Sequence, residues 1–137
     1  MTQPWETEPD RKEWEAHGLK CVILRHPDAK HLCGYVGLPE SHPCHGLEEG
    51  WYDDPTPHLP DLDVHGGITW TGLLPRDSTE GDQLWYVGFD CAHSGDRSPG
   101  WERLSPRWRI TDDVYRDMAY VTEQTENLAR QLAEVAQ

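Results

Sequence analysis

The sequence predicts an α+β domain: a small, mainly antiparallel sheet packed with a long C-terminal helix, with long irregular loops between elements. Three observations carry this. Short β-branched or aromatic runs recur at residues 20–25, 31–38, 66–74 and 84–91. The apolar series Met118, Val121, Leu128, Leu132, Val135 keeps 3/4 spacing when Thr125 is counted within the stripe. At 137 residues the chain is one domain's worth.

Residues 1–10 carry two prolines among polar and acidic residues and are expected to be flexible. Pro9 to His17 is expected to form a short helix. Pro9 would sit in its first turn, Gly18 just past its end, and Trp14 would be its anchor. Lys20–Arg25 reads as a strand stopped by His26-Pro27, and His31–Leu38 as a second, weakened by Gly34 and Gly37. Residues 39–65, with five prolines, read as a long irregular connection. Gly66–Leu74 and Leu84–Cys91 read as one antiparallel hairpin around a polar turn. Matching apolar faces places Trp70 opposite Val87 or Phe89 rather than Gly88, pairs Leu74 with Trp85, and sets Thr69 opposite Asp90. Trp85, Val87, Phe89 and Cys91 then face the core. Residues 92–110 form another irregular segment. A helix is expected over 111–135, with Thr111 as N-cap and Asp112 and Asp113 at the positive end of its dipole. Its stripe packs on the sheet; self-association through the distal half, giving a homo-oligomer, is the alternative.

Lys and Arg number 12 against 25 Asp and Glu, a net charge of −13. A nucleic-acid polymer needs a basic footprint to displace counterions, and an anionic membrane surface attracts basic segments, so both are excluded as general partners. No apolar run reaches the length of a spanning helix, and the N-terminus lacks the apolar region of a secretory signal. The expected location is therefore cytoplasmic. Reduced thiols are the expectation for Cys21, Cys33, Cys44 and Cys91, since no pair has CxxC spacing. Hydrophobic residues make up only 36%, but seven tryptophans add large buriable surfaces.

Four constellations could carry chemistry. In Val64-His65-Gly66-Gly67-Ile68-Thr69, the glycines let backbone approach a ligand beside an imidazole. It is not an esterase oxyanion element, because no G-x-S-x-G nucleophile elbow accompanies it. In Gly88-Phe89-Asp90-Cys91-Ala92-His93-Ser94-Gly95-Asp96, carboxylate, thiol and imidazole crowd a strand end. Zinc could be held by His65, Asp90 and His93, three protein ligands with an open position. The plainer reading is a tight turn in which Asp90 and Asp96 bond backbone N–H groups. The stretch His26, His31, Cys33, His42, Cys44, His45 has spacings a structural zinc could use. Finally, Arg97, Arg103, Arg107 and Arg109 are four of the twelve basic residues, interleaved with Trp101 and Trp108. Guanidinium groups grip phosphate bidentately and indoles stack on bases, so this cluster suggests a small anionic ligand; salt bridging to Glu102, Asp112 and Asp113 is the plainer reading.

The runs Gly34-Tyr35-Val36-Gly37…His42-Pro43, Val64-His65-Gly66-Gly67-Ile68-Thr69 and Gly88–Asp96, with the Tyr115-Arg116-Asp117 opening to the C-terminal helix, resemble a family of small proteins encoded by phages and prophages. The likeness covers roughly residues 31–132. It assigns no residue a role. It implies an accessory phage product acting in the host cytoplasm against host defence, by binding a host protein or sequestering a signalling nucleotide.

The leading expectation is a binding protein rather than an enzyme. It would hold a small anionic ligand of nucleotide type with His65, Thr69, Asp90, His93, Trp101, Arg103, Arg107 and Arg109. The alternatives are a zinc-dependent hydrolase using His65, Asp90 and His93, and a protein–protein inhibitor of a host factor.

Overall fold

The structure is a computed structural model describing residues 4–27, 29–48, 57–73, 84–91, 99 and 115–136. A short helix α1 (Pro4–Thr7) precedes three strands, β1 (Arg11–Ala16), β2 (Leu19–Arg25) and β3 (Leu32–Leu38). Two more follow, β4 (Trp70–Gly72) and β5 (Trp85–Asp90), and then helix α2 (Met118–Val135). The strands make one sheet in the order β1-β2-β3-β5-β4, with every neighbouring pair antiparallel. The expected α+β architecture is the observed one. Among the described residues, no helix is long and apolar enough to cross a membrane.

Residues 11–16 are a strand, not the expected helix. Their period is two: Lys12, Trp14 and Ala16 face α2, while Arg11, Glu13 and Glu15 face away. His17 (φ 53°) and Gly18 (φ 76°) then make a two-residue hairpin turn with both central residues in the left-handed region, and Ala16 pairs with Leu19. Gly18 therefore turns a hairpin rather than ending a helix. Trp14 remains an anchor: it packs at the edge of the core, and its Nε1 donates to Glu126 on α2 at 3.1 Å.

One face of the sheet carries the core. Cys21, Ile23, Leu32, Val36, Val87 and Phe89 pack against Val121, Leu128, Ala129 and Leu132 of α2. The helix stripe thus lies on the sheet; Val135, counted in it, is exposed. The long connection between β3 and β4 adds Cys44, Leu59, Val64 and Ile68 to the same core. Cys91 is buried there as parity expects, and all four cysteines are buried and outside any disulfide.

Helix α2 begins at Met118, later than expected; Tyr115 to Asp117 are not helical, and Thr111 lies outside the described residues. Asp117 is the N-cap, accepting from the Tyr120 N–H at 2.8 Å. The Met118 N–H is taken by Glu8, 110 residues away in sequence, at 2.7 Å. An acceptor supplied from so far along the chain leaves no local signature.

The β4–β5 register also differs. Trp70 pairs with Gly88, Thr71 with Val87 and Gly72 with Tyr86. The expected pairing is shifted by one residue, and Trp70 lies on the face opposite the core. Pairing begins only at Trp70, so Ile68 enters the core from irregular backbone and its parity does not extend to Trp70. The expected Leu74–Trp85 pair lies outside the described residues.

Candidate functional site

Three aromatic rings of the central strands lie over the glycines directly opposite them. Gly34 pairs with Phe89, Tyr35 with Gly88 and Gly37 with Tyr86. A Cβ on Gly34 would come within 2.6 Å of the Phe89 ring, one on Gly37 within 2.9 Å of the Tyr86 ring, and one on Gly88 within 2.8 Å of Tyr35 Cε1. The glycines are gaps that the rings fill, which offsets the weakness of glycine in a strand. Phe89 serves the core face. Tyr35 and Tyr86 lie on the other face.

Trp70 of β4 meets Gly88 from its other side. Its ring stands 5.6 Å from that of Tyr35 at 87°, an edge-to-face pair. The indole also leans over Gly72, whose Cβ would sit 3.1 Å from it. The result is an aromatic corner laid on glycine backbone, with Trp70 still 39% exposed. It is an apolar surface that offers a partly exposed indole for stacking.

Polar groups border this corner. Asp90 follows Gly88 by two positions on the same face and pairs with Cys33. Burial pushes the Cys33 thiol up to about 12, and the Asp90 charge adds to the effect. Burial also raises Tyr35, with Cys33 and Asp90 contributing. Both groups therefore stay protonated near neutral pH, and Cys33 is no nucleophile there. Two positions from Gly88 in the other direction, the Tyr86 hydroxyl is buried with no hydrogen-bond partner among the described residues.

The sequence-predicted residues divide. Asp90 stands at the corner, and the Thr69 N–H donates to the Gly88 carbonyl at 2.9 Å. His65 belongs elsewhere. It is the second residue of a turn closed by Gly67 N–H to Val64 O at 2.8 Å, with Gly66 at φ 70°. That pattern is a type II turn, which needs glycine at its third position. The His65 N–H donates to Gln124 at 3.0 Å, and its Nδ1 lies 2.8 Å from the Tyr120 hydroxyl, both on α2. Helix α2 covers the core face; Asp90 is on the other. His93, Trp101, Arg103, Arg107 and Arg109 lie outside the described residues, as do Arg97 and Trp108.

Among the described residues, no three His, Cys, Asp or Glu side chains are grouped to hold a metal. The members of the His/Cys-rich stretch take separate roles. His26 and His31 stack at 5.0 Å. His42 Nδ1 accepts from the Cys44 N–H at 3.0 Å, so its Nε2 carries the proton given to the Leu132 carbonyl at 2.7 Å.

Tyr35, Trp70 and Tyr86 were not among the expected site residues. The alternation Trp85-Tyr86-Val87-Gly88-Phe89, beside Gly34-Tyr35-Val36-Gly37, is the signal that could have found them: aromatics and glycines trade places across the pair. Comparison of the chain with protein-family models, with curated proteins and with solved structures returned no match.

Proposed function

We propose that this protein binds a small anionic ligand with a planar ring, of nucleotide type, and does not transform it. The observation that carries the reading is the exposed indole of Trp70, which leans over Gly72 and stands edge-to-face with Tyr35. A ring stacked on an aromatic side chain contributes about 1–3 kcal/mol per base. The chain continues from β5 into the segment that carries Arg103, Arg107 and Arg109 with Trp101, and these supply the phosphate-binding chemistry in this reading. With a net charge of −13, such a local cationic group suits a small anion better than a polymer. The resemblance to phage-encoded proteins supports sequestration of a host signalling nucleotide as the biological role.

Calorimetric titration with a panel of linear and cyclic nucleotides tests this. Micromolar binding that weakens at least tenfold in both Trp70→Ala and Arg107→Ala supports it. Absence of binding across the panel, or binding untouched by either substitution, rejects it.

A further inference from the structure

Resting on that reading, we propose that the Tyr86 hydroxyl is a ligand-binding group: it donates to a phosphate oxygen of the nucleotide whose base stacks on Trp70. Gly72, Tyr86 and Gly37 stand opposite one another on β4, β5 and β3, in one row on the face away from α2. The Trp70 indole covers one end of this row. A Cβ on Gly72 would lie 3.1 Å from its Cζ2. The Tyr86 phenol covers the other end. A Cβ on Gly37 would lie 3.1 Å from Cζ, the carbon that carries the hydroxyl. Two strand spacings separate the two glycines, about 10 Å. That is close to the span from a purine base to its own phosphate.

Packing does not call for the hydroxyl. On the core face, Phe89 fills the gap over Gly34 with a bare ring. Tyr86 fills the gap over Gly37 in the same way but adds an oxygen. That oxygen is buried with no hydrogen-bond partner among the described residues. A buried donor left unpaired destabilises a fold. A phosphate oxygen accepts and is charged, so it forms the stronger kind of hydrogen bond with a phenol. The hydroxyl has no open surface, so the phosphate reaches it as neighbouring side chains shift. Two uses of the hydroxyl then differ in sign. If it serves a ligand, removing it strengthens the empty protein and weakens binding. If it holds an ordered water, removing it weakens the fold and leaves binding alone.

The test measures urea unfolding of the full chain, Tyr86→Phe and Trp70→Ala without ligand, then titrates each with AMP and GMP and with adenosine and guanosine. Tyr86→Phe is expected to unfold at a higher urea concentration than the wild type. It is expected to bind the two nucleotides about tenfold more weakly and the two nucleosides as the wild type does. Trp70→Ala is expected to weaken nucleotides and nucleosides alike. A lower urea midpoint for Tyr86→Phe assigns the hydroxyl to an ordered water only and overturns the proposal. Unchanged nucleotide binding in that variant, or an equal loss for the nucleosides, also overturns it. The Trp70 reading survives those results as long as Trp70→Ala still weakens binding. If neither nucleotide binds the wild type, the proposal and the reading beneath it both fail.

Discussion

Thr125 of α2 rests against Gly34 of β3, with its hydroxyl turned back to the Val121 carbonyl at 2.7 Å. A methyl group on Gly34 would overlap that hydroxyl and crowd Phe89 from the same side. The helix can lie this close to the sheet only because residue 34 has no side chain. Gly34→Ala is therefore expected to cost about 2–3 kcal/mol in urea unfolding, the range of an overpacked core. Gly18→Ala meets nothing within 4 Å and suffers only its left-handed backbone (φ 76°), about 1 kcal/mol. Equal losses for the two variants would show that Gly34 is not a packing glycine.

Glu8 ties β2, the start of α2 and Tyr115 together. Its carboxylate accepts from the Tyr115 hydroxyl at 2.6 Å and the Met118 N–H at 2.7 Å, and it lies 3.4 Å from Arg25. The Arg25 side chain is only 3% exposed and also binds Asp10, Tyr115 and the carbonyls of Pro9 and Lys30. Removing one partner from a buried charge is expensive. Glu8→Ala is expected to cost about 2–4 kcal/mol. Glu134→Ala, which breaks the exposed Arg130 pair, should stay within about 0.5 kcal/mol.

Alkaline pH should destabilise the fold. Burial pushes the thiols of Cys21 and Cys33 up to about 12 from an ordinary 9.0. In that window the unfolded chain has lost these protons while the folded one keeps them, so stability falls as pH rises. Each thiol contributes a slope of about 1 kcal/mol per pH unit between its two values. Tyr35 and Tyr115, also raised chiefly by burial, extend the loss above pH 10. Urea midpoints should be flat from pH 7 to 8.5 and then drop. Cys33→Ala should shallow the drop, and an unchanged slope in that variant would refute its cause.

His42 bridges a loop to the end of α2. Without its ring, the Cys44 N–H loses its acceptor and the Leu132 carbonyl a donor. His42→Ala is expected to cost about 2 kcal/mol. Hydrogen exchange should show the Cys44 amide opening well before the β2 and β3 amides. A Cys44 amide that stays as protected as the strands would refute the bridge.

Much of the fold could be read from local pattern. The runs at β2, β3 and β5 are short, apolar and bounded by turn residues, and the 3/4 stripe of α2 is unmistakable. What escaped was set by distant residues. The strand β1 alternates charged and half-buried positions, but Pro9 and Gly18 imitate helix punctuation. The α2 start joins a local cap, Asp117, to a distant acceptor, Glu8, and β4 sets Trp70 opposite Gly88 rather than a residue of the core face. The aromatic corner was less legible: Tyr35 and Trp70 were hidden because their pairing through Gly88 is visible only across strands. His65 was drawn to the site by its glycines, which serve a turn instead.

The strand order has a temporal consequence. The first three strands can form a meander as soon as they are made, but β3 then waits with one side open. Its eventual neighbour, β5, comes later in the chain than β4, which takes the outer place. Until β5 inserts, Leu32–Leu38 presents a bare row of backbone donors and acceptors beside an apolar run. That interval, rather than the finished molecule, is when another chain could add a strand and divert folding into aggregates.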